Sequence, residues 1–346
     1  MIAYQTTAPG APLSRVERPD PVPTGTEVLL RMRACGVCHS DIHLHDGLFD
    51  LGQGKTLDVA QPGLTLGHEI FGEVVAVGPD VTDARPGDRR VVYPWIGCGE
   101  CASCRRGEEH LCTPGRALGI VRPGGFADLV MVPHSRYLFD KGNVAESLAA
   151  TYACSGLTAY SALRKLGPLV EGDHVVVLGA GGVGMMAIQI ALSVMKLQPI
   201  VVDIDDAKLQ AAQALGVQQV YNSGDPQTAR TLRKHTGGAY AVLDFVGSES
   251  TVNYGLNCLR KGGKLVVVGL FGGSLTLPIP FLPMNARTIQ GSYVGSLAEM
   301  GELMALVRDG KIAPIEIHER PLAEATAALD DLKAGRVRGR QVLVNF

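Results

Sequence analysis

The chain has 346 residues, 46% of them hydrophobic and 19% charged, with a formal net charge of −2. That length exceeds what one hydrophobic core fills, so two domains are expected. The balanced charge leaves no basic footprint for nucleic acid.

The start, Met1-Ile2-Ala3-Tyr4-Gln5-Thr6, lacks the basic and apolar regions of a signal peptide. An uncharged stretch from Val175 to Met195 has the length of a membrane span, but Gly179, Gly181, Gly182 and Gly184 interrupt it. It reads as strand, turn and buried helix. A cytoplasmic protein with no membrane partner is expected, acting on small molecules or binding copies of itself.

Taken in order, residues 1 to about 95 read as irregular β structure. Strands are predicted at 27–33, 71–77 and 90–93, with Pro86-Gly87-Asp88 as a turn. Between the first two lies Gly36-Val37-Cys38-His39-Ser40-Asp41-Ile42-His43, which packs a thiol, two imidazoles, a hydroxyl and a carboxylate into eight residues. The polar stretch from Asp46 to Pro62 reads as an exposed loop.

Eight cysteines in a reducing compartment point to metal ligation or catalysis rather than disulfides. Cys98, Cys101, Cys104 and Cys112 have the close spacing of a closed tetrahedral zinc site, which staples a loop poor in apolar residues.

A strand at 126–132 is followed by a helical pattern near 144–166 that carries Cys154. From Asp173 the chain alternates. Strands are predicted at 174–178, 199–203, 218–221, 240–244, 263–268 and 288–292, with helices at 182–196, 206–215, 225–235 and 249–259. Val-rich strands in such alternation mean a parallel, doubly wound α/β sheet. Helices at 297–309 and 322–333 and a strand at 340–344 complete the pattern.

Gly179-Ala180-Gly181-Gly182-Val183-Gly184 follows a predicted strand and opens a predicted helix, and Asp203 ends the next strand. Gly179 permits the tight turn, Gly181 lets the backbone approach a pyrophosphate, and Gly184 lets helix and strand pack closely. The helix N-terminus favours the anion. Asp203 would accept hydrogen bonds from the adenosine ribose and repel a 2′-phosphate, which predicts NAD over NADP.

Cys38, Cys154 and His68, the last within Gly67-His68-Glu69, supply two thiols and an imidazole, enough for an open catalytic zinc site. Their wide separation means spacing alone does not select them. Through Gly-Val-Cys38-His-Ser-Asp, Gly67-His68-Glu69, the Cys98–Cys112 knuckle, Cys154-Ser-Gly-Leu-Thr and the Gly179–Gly184 turn, the chain resembles the zinc-dependent medium-chain alcohol dehydrogenases along nearly its whole length. It looks closest to the tetrameric NAD-dependent type of bacteria and archaea.

The resemblance implies a Rossmann domain at 155–293 and a mostly-β GroES-like catalytic domain at 1–154 and 294–346, with the zinc lobe at about 95–113. It implies NAD and two zinc ions per chain, and a homotetramer or homodimer acting on an alcohol or aldehyde. Cys38, His68 and Cys154 match the catalytic zinc ligands, Glu69 an acid that approaches the metal, and Asp41 the acid that orients the ligand histidine. Ser40 and His43 match a proton relay; His39, Lys208 and Arg340 match cofactor contacts. Trp95 matches a substrate wall. His45 falls near a pocket position and is either a polar pocket residue or exposed.

Overall fold

Runs of β-branched residues buried on both faces build the sheet that carries the middle of the chain. In the computed structural model, which describes residues 1–225 and 227–345, Val175–Leu178 and Ile200–Asp203 are buried at every position. The sheet runs Gln219–Asn222, Ile200–Asp203, Val175–Leu178, Ala239–Asp244, Leu259–Val267, Thr288–Gly291, and every neighbouring pair is parallel. In chain order this is 3-2-1-4-5-6, the doubly wound arrangement. Its order reverses beside Val175–Leu178, and ligands of such sheets bind at the carboxyl ends of the strands at that reversal. Gly179 begins the turn there.

Helices Gly182–Ser193, Asp206–Ala214, Thr228–Thr236 and Glu249–Cys258 connect the strands. Position 226, inside the helix expected over 225–235, lies outside the described residues, as does position 346 at the end of the expected 294–346 segment. The strand expected from 263 begins earlier, at Leu259, and a register shift between Ala239 and Ala241 of its partner absorbs the added length.

This sheet belongs to one of two compact units, formed by Phe49–Leu57 and Thr158–Val294. The first segment corrects one expectation. Instead of a loop, Leu48–Gly52 and Lys55–Asp58 pair as a hairpin, turning at Gln53 and Gly54, both with positive φ, as tight hairpin turns require. Most of its residues are exposed, so no apolar alternation announces it.

The other unit comprises Met1–Leu48, Asp58–Leu157 and the chain from Gly295 onward. Its seven-stranded sheet runs Ile317–Pro321, Arg340–Val344, Val28–Gly36, Glu69–Val77, Arg89–Val92, Leu138–Phe139, with Leu129–Val132 also paired to Val28–Gly36. Leu30, Met32, Ile70 and Phe71 from its two longest strands are fully buried. The segment expected as one helix near 144–166 has three parts: α-helix Glu146–Thr151, a π-helical turn Tyr152–Gly156, and α-helix Leu157–Arg164.

Candidate active site

Strand Val28–Gly36 ends beneath the reactive segment, and helix His39–Asp46 starts immediately after Cys38, its N-cap. The Asp41 carboxylate accepts the Cys38 backbone N–H at 2.8 Å, closing the first turn back on itself. Its other oxygen accepts the Gly67 N–H at 3.2 Å and lies 3.3 Å from His68 Nδ1. One fully buried acid therefore ties two metal-ligand candidates together and turns the far imidazole nitrogen, Nε2, away from itself.

Cys38 Sγ, His68 and Cys154 Sγ present ligand atoms within 4.8 Å of one another, all buried. Both ring nitrogens of His68 are buried without a hydrogen-bond partner, Nδ1 facing Asp41, and for Nε2 that arrangement is costly unless a metal takes its lone pair. A hydrogen bond from the Cys154 thiol and the nearby His68 imidazole hold the Cys38 thiol well below its usual range. Zinc binds thiolate and neutral imidazole, so this donor set fits it.

Cys154 reaches the cluster from the π-helical turn, where the ladder is wider than in an α-helix. Two backbone groups of that turn serve the site. The Ser155 N–H donates to Glu69 Oε1 at 3.2 Å, and the Ala153 carbonyl accepts from Trp95 Nε1 at 3.0 Å. Trp95 is buried, with its ring centroid 5.3 Å from that of His68.

Glu69 is fully buried and paired with Arg340 Nη2 at 2.5 Å. Burial pushes its carboxyl up to about 7, although Arg340 opposes the shift. Arg340, buried itself, keeps Nε without a hydrogen-bond partner, a donor suited to a further anion.

Ser40 is half-buried, with Oγ 3.9 Å from Cys38 Sγ. His43, one turn along the helix, is half-buried; burial lowers its pKa and the neighbouring His39 lowers it further. His39 is exposed. His45 is buried rather than exposed, and its Nε2 meets the Ala11 carbonyl at 2.7 Å, a link to the N-terminal segment.

The four knuckle cysteines converge as their spacing predicts. Cys98 and Cys104 sulfurs are 3.9 Å apart, Cys101 and Cys104 3.5 Å, and Cys101 and Cys112 3.9 Å. Four thiolates each about 2.3 Å from one ion stand about 3.8 Å apart at tetrahedral angles. The Glu100 and Cys101 N–H groups donate to Cys98 Sγ and pull its pKa down to about 6. All four ligand positions are filled by protein, so this site fits a closed, structural zinc.

In the other unit, Gly179 takes φ +89, and a Cβ on Gly184 would stand 1.8 Å from the Gly179 carbonyl oxygen. Only glycine allows that approach. Asp203 is buried, with one oxygen accepting the Ala180 N–H at 2.7 Å and the other the Asp205 N–H at 2.9 Å, so its carboxylate is fixed beside the turn. Lys208 is half-buried on the helix that follows.

Residues 24–141 match the family model described as an alcohol dehydrogenase GroES-like domain, and residues 182–309 the one described as a zinc-binding dehydrogenase. An NAD-dependent alcohol dehydrogenase of Sulfurisphaera tokodaii is 40% identical, covering 99% of this chain and 100% of the relative. The chain belongs to the zinc-dependent medium-chain alcohol dehydrogenase family.

Among solved structures of related fold, an alcohol dehydrogenase of Aeropyrum pernix is 30% identical with a TM-score of 0.88, covering 100% of both chains. A D-arabinose dehydrogenase of Sulfolobus solfataricus is 28% identical with a TM-score of 0.82, covering 99% of both. One backbone thus serves dehydrogenases named for different substrates.

Within this alcohol dehydrogenase family member, sequence reading named Asp41 behind His68 but missed how Glu69, beside the three candidate ligands, is held by Arg340 and the Ser155 N–H. Gly36 was a clue inside the reactive segment, because a Cβ there would stand 1.9 Å from Glu69 Oε2. The Glu69–Arg340 pair and the Ser155 N–H carry no local sequence signal.

Proposed function

We propose that the chain oxidises a primary or secondary alcohol, aromatic ones included, to an aldehyde or ketone with NAD, using the Cys38, His68 and Cys154 cluster as its catalytic zinc site. The observation that carries this reading is the mutual approach of those three buried ligand atoms, with Asp41 behind the histidine. When bound, zinc supplies a Lewis acid that lets an alcohol lose its proton near neutral pH, and NAD accepts the hydride.

The chain's residues divide the remaining work. Cys38, His68 and Cys154 hold the metal, and Asp41 fixes the imidazole so that Nε2 is the ligand. Ser40 and His43 take the alcohol proton toward water, a task suited to an imidazole that stays neutral below the usual histidine range. Trp95 walls the site and excludes water beside His68. Glu69, locked by Arg340 and Ser155, is the reserve acid next to the ligands.

The Gly179–Gly184 turn receives the pyrophosphate, Asp203 the adenosine ribose, with His39, Lys208 and the unsatisfied Arg340 Nε as further cofactor contacts. Asp203 makes the preference NAD over NADP. Zinc in the four-cysteine lobe has a purely structural part.

The protein works in the cytoplasm as a homodimer or homotetramer. No helix among the described residues is long and apolar enough to cross a membrane. Strand Thr288–Gly291 forms one edge of the parallel sheet, and Phe271, Ile279, Phe281, Met284 and Tyr293 near it in sequence are exposed apolar side chains. An open edge with apolar neighbours favours pairing with a second copy.

The test couples metal content with turnover. Wild-type protein is expected to hold two zinc ions per chain and to form NADH with alcohols, whereas Cys38→Ser should keep one zinc and lose turnover. One zinc in both proteins would remove the basis of the mechanism.

A further inference from the structure

The π-helical turn Tyr152–Gly156 sits between two α-helices and interrupts their ladder of backbone hydrogen bonds. In an α-helix the Leu157 N–H would donate to the Ala153 carbonyl, four residues back. Here it donates to the carbonyls of Tyr152 and Cys154 instead and passes over Ala153. A buried carbonyl left out of the ladder needs a donor from elsewhere. Trp95 supplies it, its Nε1–H donating to the Ala153 carbonyl at 3.0 Å.

That carbonyl belongs to the peptide unit that contains the Cys154 nitrogen. Peptide units are planar, so holding the oxygen fixes the plane from which the Cys154 side chain departs. The next unit is held too, because the Ser155 N–H donates to Glu69 Oε1 at 3.2 Å. Cys154 is thus clamped on both sides by groups outside its own helix, an indole and a carboxylate.

The indole is presented from a stiff support. The Tyr93 N–H donates to the Tyr137 carbonyl at 2.8 Å, the Leu118 N–H to the Pro94 carbonyl at 3.0 Å, and the Arg116 N–H to the Ile96 carbonyl at 3.0 Å. The Gly97 N–H donates to Glu109 Oε2 at 3.3 Å, and the buried Tyr93 hydroxyl to the Gly295 carbonyl at 2.9 Å. Backbone ties at residues 93, 94, 96 and 97 therefore flank Trp95, which is itself buried. A residue serving only as a pocket wall would need its ring and no polar atom. This one directs its single polar atom at the residue before a metal-ligand candidate.

We propose that Trp95 is a positioning residue for Cys154: its N–H holds the π-helical turn in the conformation that brings the Cys154 sulfur to Cys38 and His68. The proposal rests on the reading of those three residues as a zinc site.

Trp95→Phe tests it by keeping an aromatic wall and removing the donor. Zinc release into a chelator, followed with a colorimetric indicator, should be faster by about tenfold or more for one ion. The other ion should leave at the wild-type rate, which Cys38→Ser, holding that ion alone, identifies. Cobalt put in place of zinc should show altered visible absorption in the variant, since its bands report ligand geometry. A second variant carries 3-benzothienylalanine at position 95, with sulfur where the indole has its N–H and the ring shape kept. It should repeat the effect, and it decides the matter if Trp95→Phe loses both ions by misfolding. Wild-type release and a wild-type cobalt spectrum in the benzothienyl protein overturn the proposal and leave Trp95 a wall, read only in the KM for alcohol. A wild-type protein that holds no metal removable by Cys38→Ser would instead sink the zinc reading, and the proposal with it.

Discussion

His43 shows how burial decides what one side chain can do. Its folded pKa is lowered, so it accepts a proton in the native state only below the ordinary value of about 6.5. As a proton acceptor it therefore stays available on the acid side of neutrality. Replacing it with Gln should cut alcohol oxidation on the order of tenfold or more at low to neutral pH, with less effect at high pH and partial rescue by small diffusible bases. An unchanged pH–rate profile would count against the relay. The same sign holds for stability: the unfolded chain binds this proton more tightly, so acid disfavours the fold through His43 as pH drops below about 6.5. At this scale the sequence was uneven. The knuckle cysteines lie within fifteen residues of one another and were legible from spacing, whereas Glu69 and Arg340 are 271 positions apart and nothing local links them.

Among elements, the glycine turn carries the sharpest expectation. A methyl at position 184 would overlap the Gly179 carbonyl, and neither backbone can yield without opening the strand-to-helix turn. Gly184→Ala should raise the KM for NAD by roughly a hundredfold, measured by steady-state kinetics, while both zinc ions stay bound. Zinc loss together with cofactor loss would mean general misfolding instead. The parallel strands were readable because Val-rich runs buried on both faces look alike in sequence and structure. The π-helical turn was not, because Tyr152–Gly156 is buried on every side and offers no polar contrast from which to read a change of period. The hairpin at 48–58 failed for the opposite reason, being exposed at most positions.

For the whole molecule, the open edge at Thr288–Gly291 predicts assembly. Ile289→Lys places a charge on that edge and should lower the mass measured by light scattering toward that of one chain; an unchanged mass would place the interface elsewhere. The segment Phe49–Leu57 groups with the parallel sheet rather than with its neighbours in sequence, and nothing in the length of the chain announces that. The seven-stranded sheet has a further consequence for biosynthesis. Strand Val28–Gly36 pairs on one side with Glu69–Val77 and on the other with Arg340–Val344. Its second neighbour is made more than three hundred residues later, and Arg340 is also the partner of Glu69. On the ribosome, the long segment Thr158–Val294 is complete while this sheet still lacks an inner strand. The candidate zinc cluster, whose last member is residue 154, therefore gains the Arg340 partner of its neighbouring buried acid, Glu69, only once residue 340 has been made, so its completion is expected late in folding rather than at its beginning.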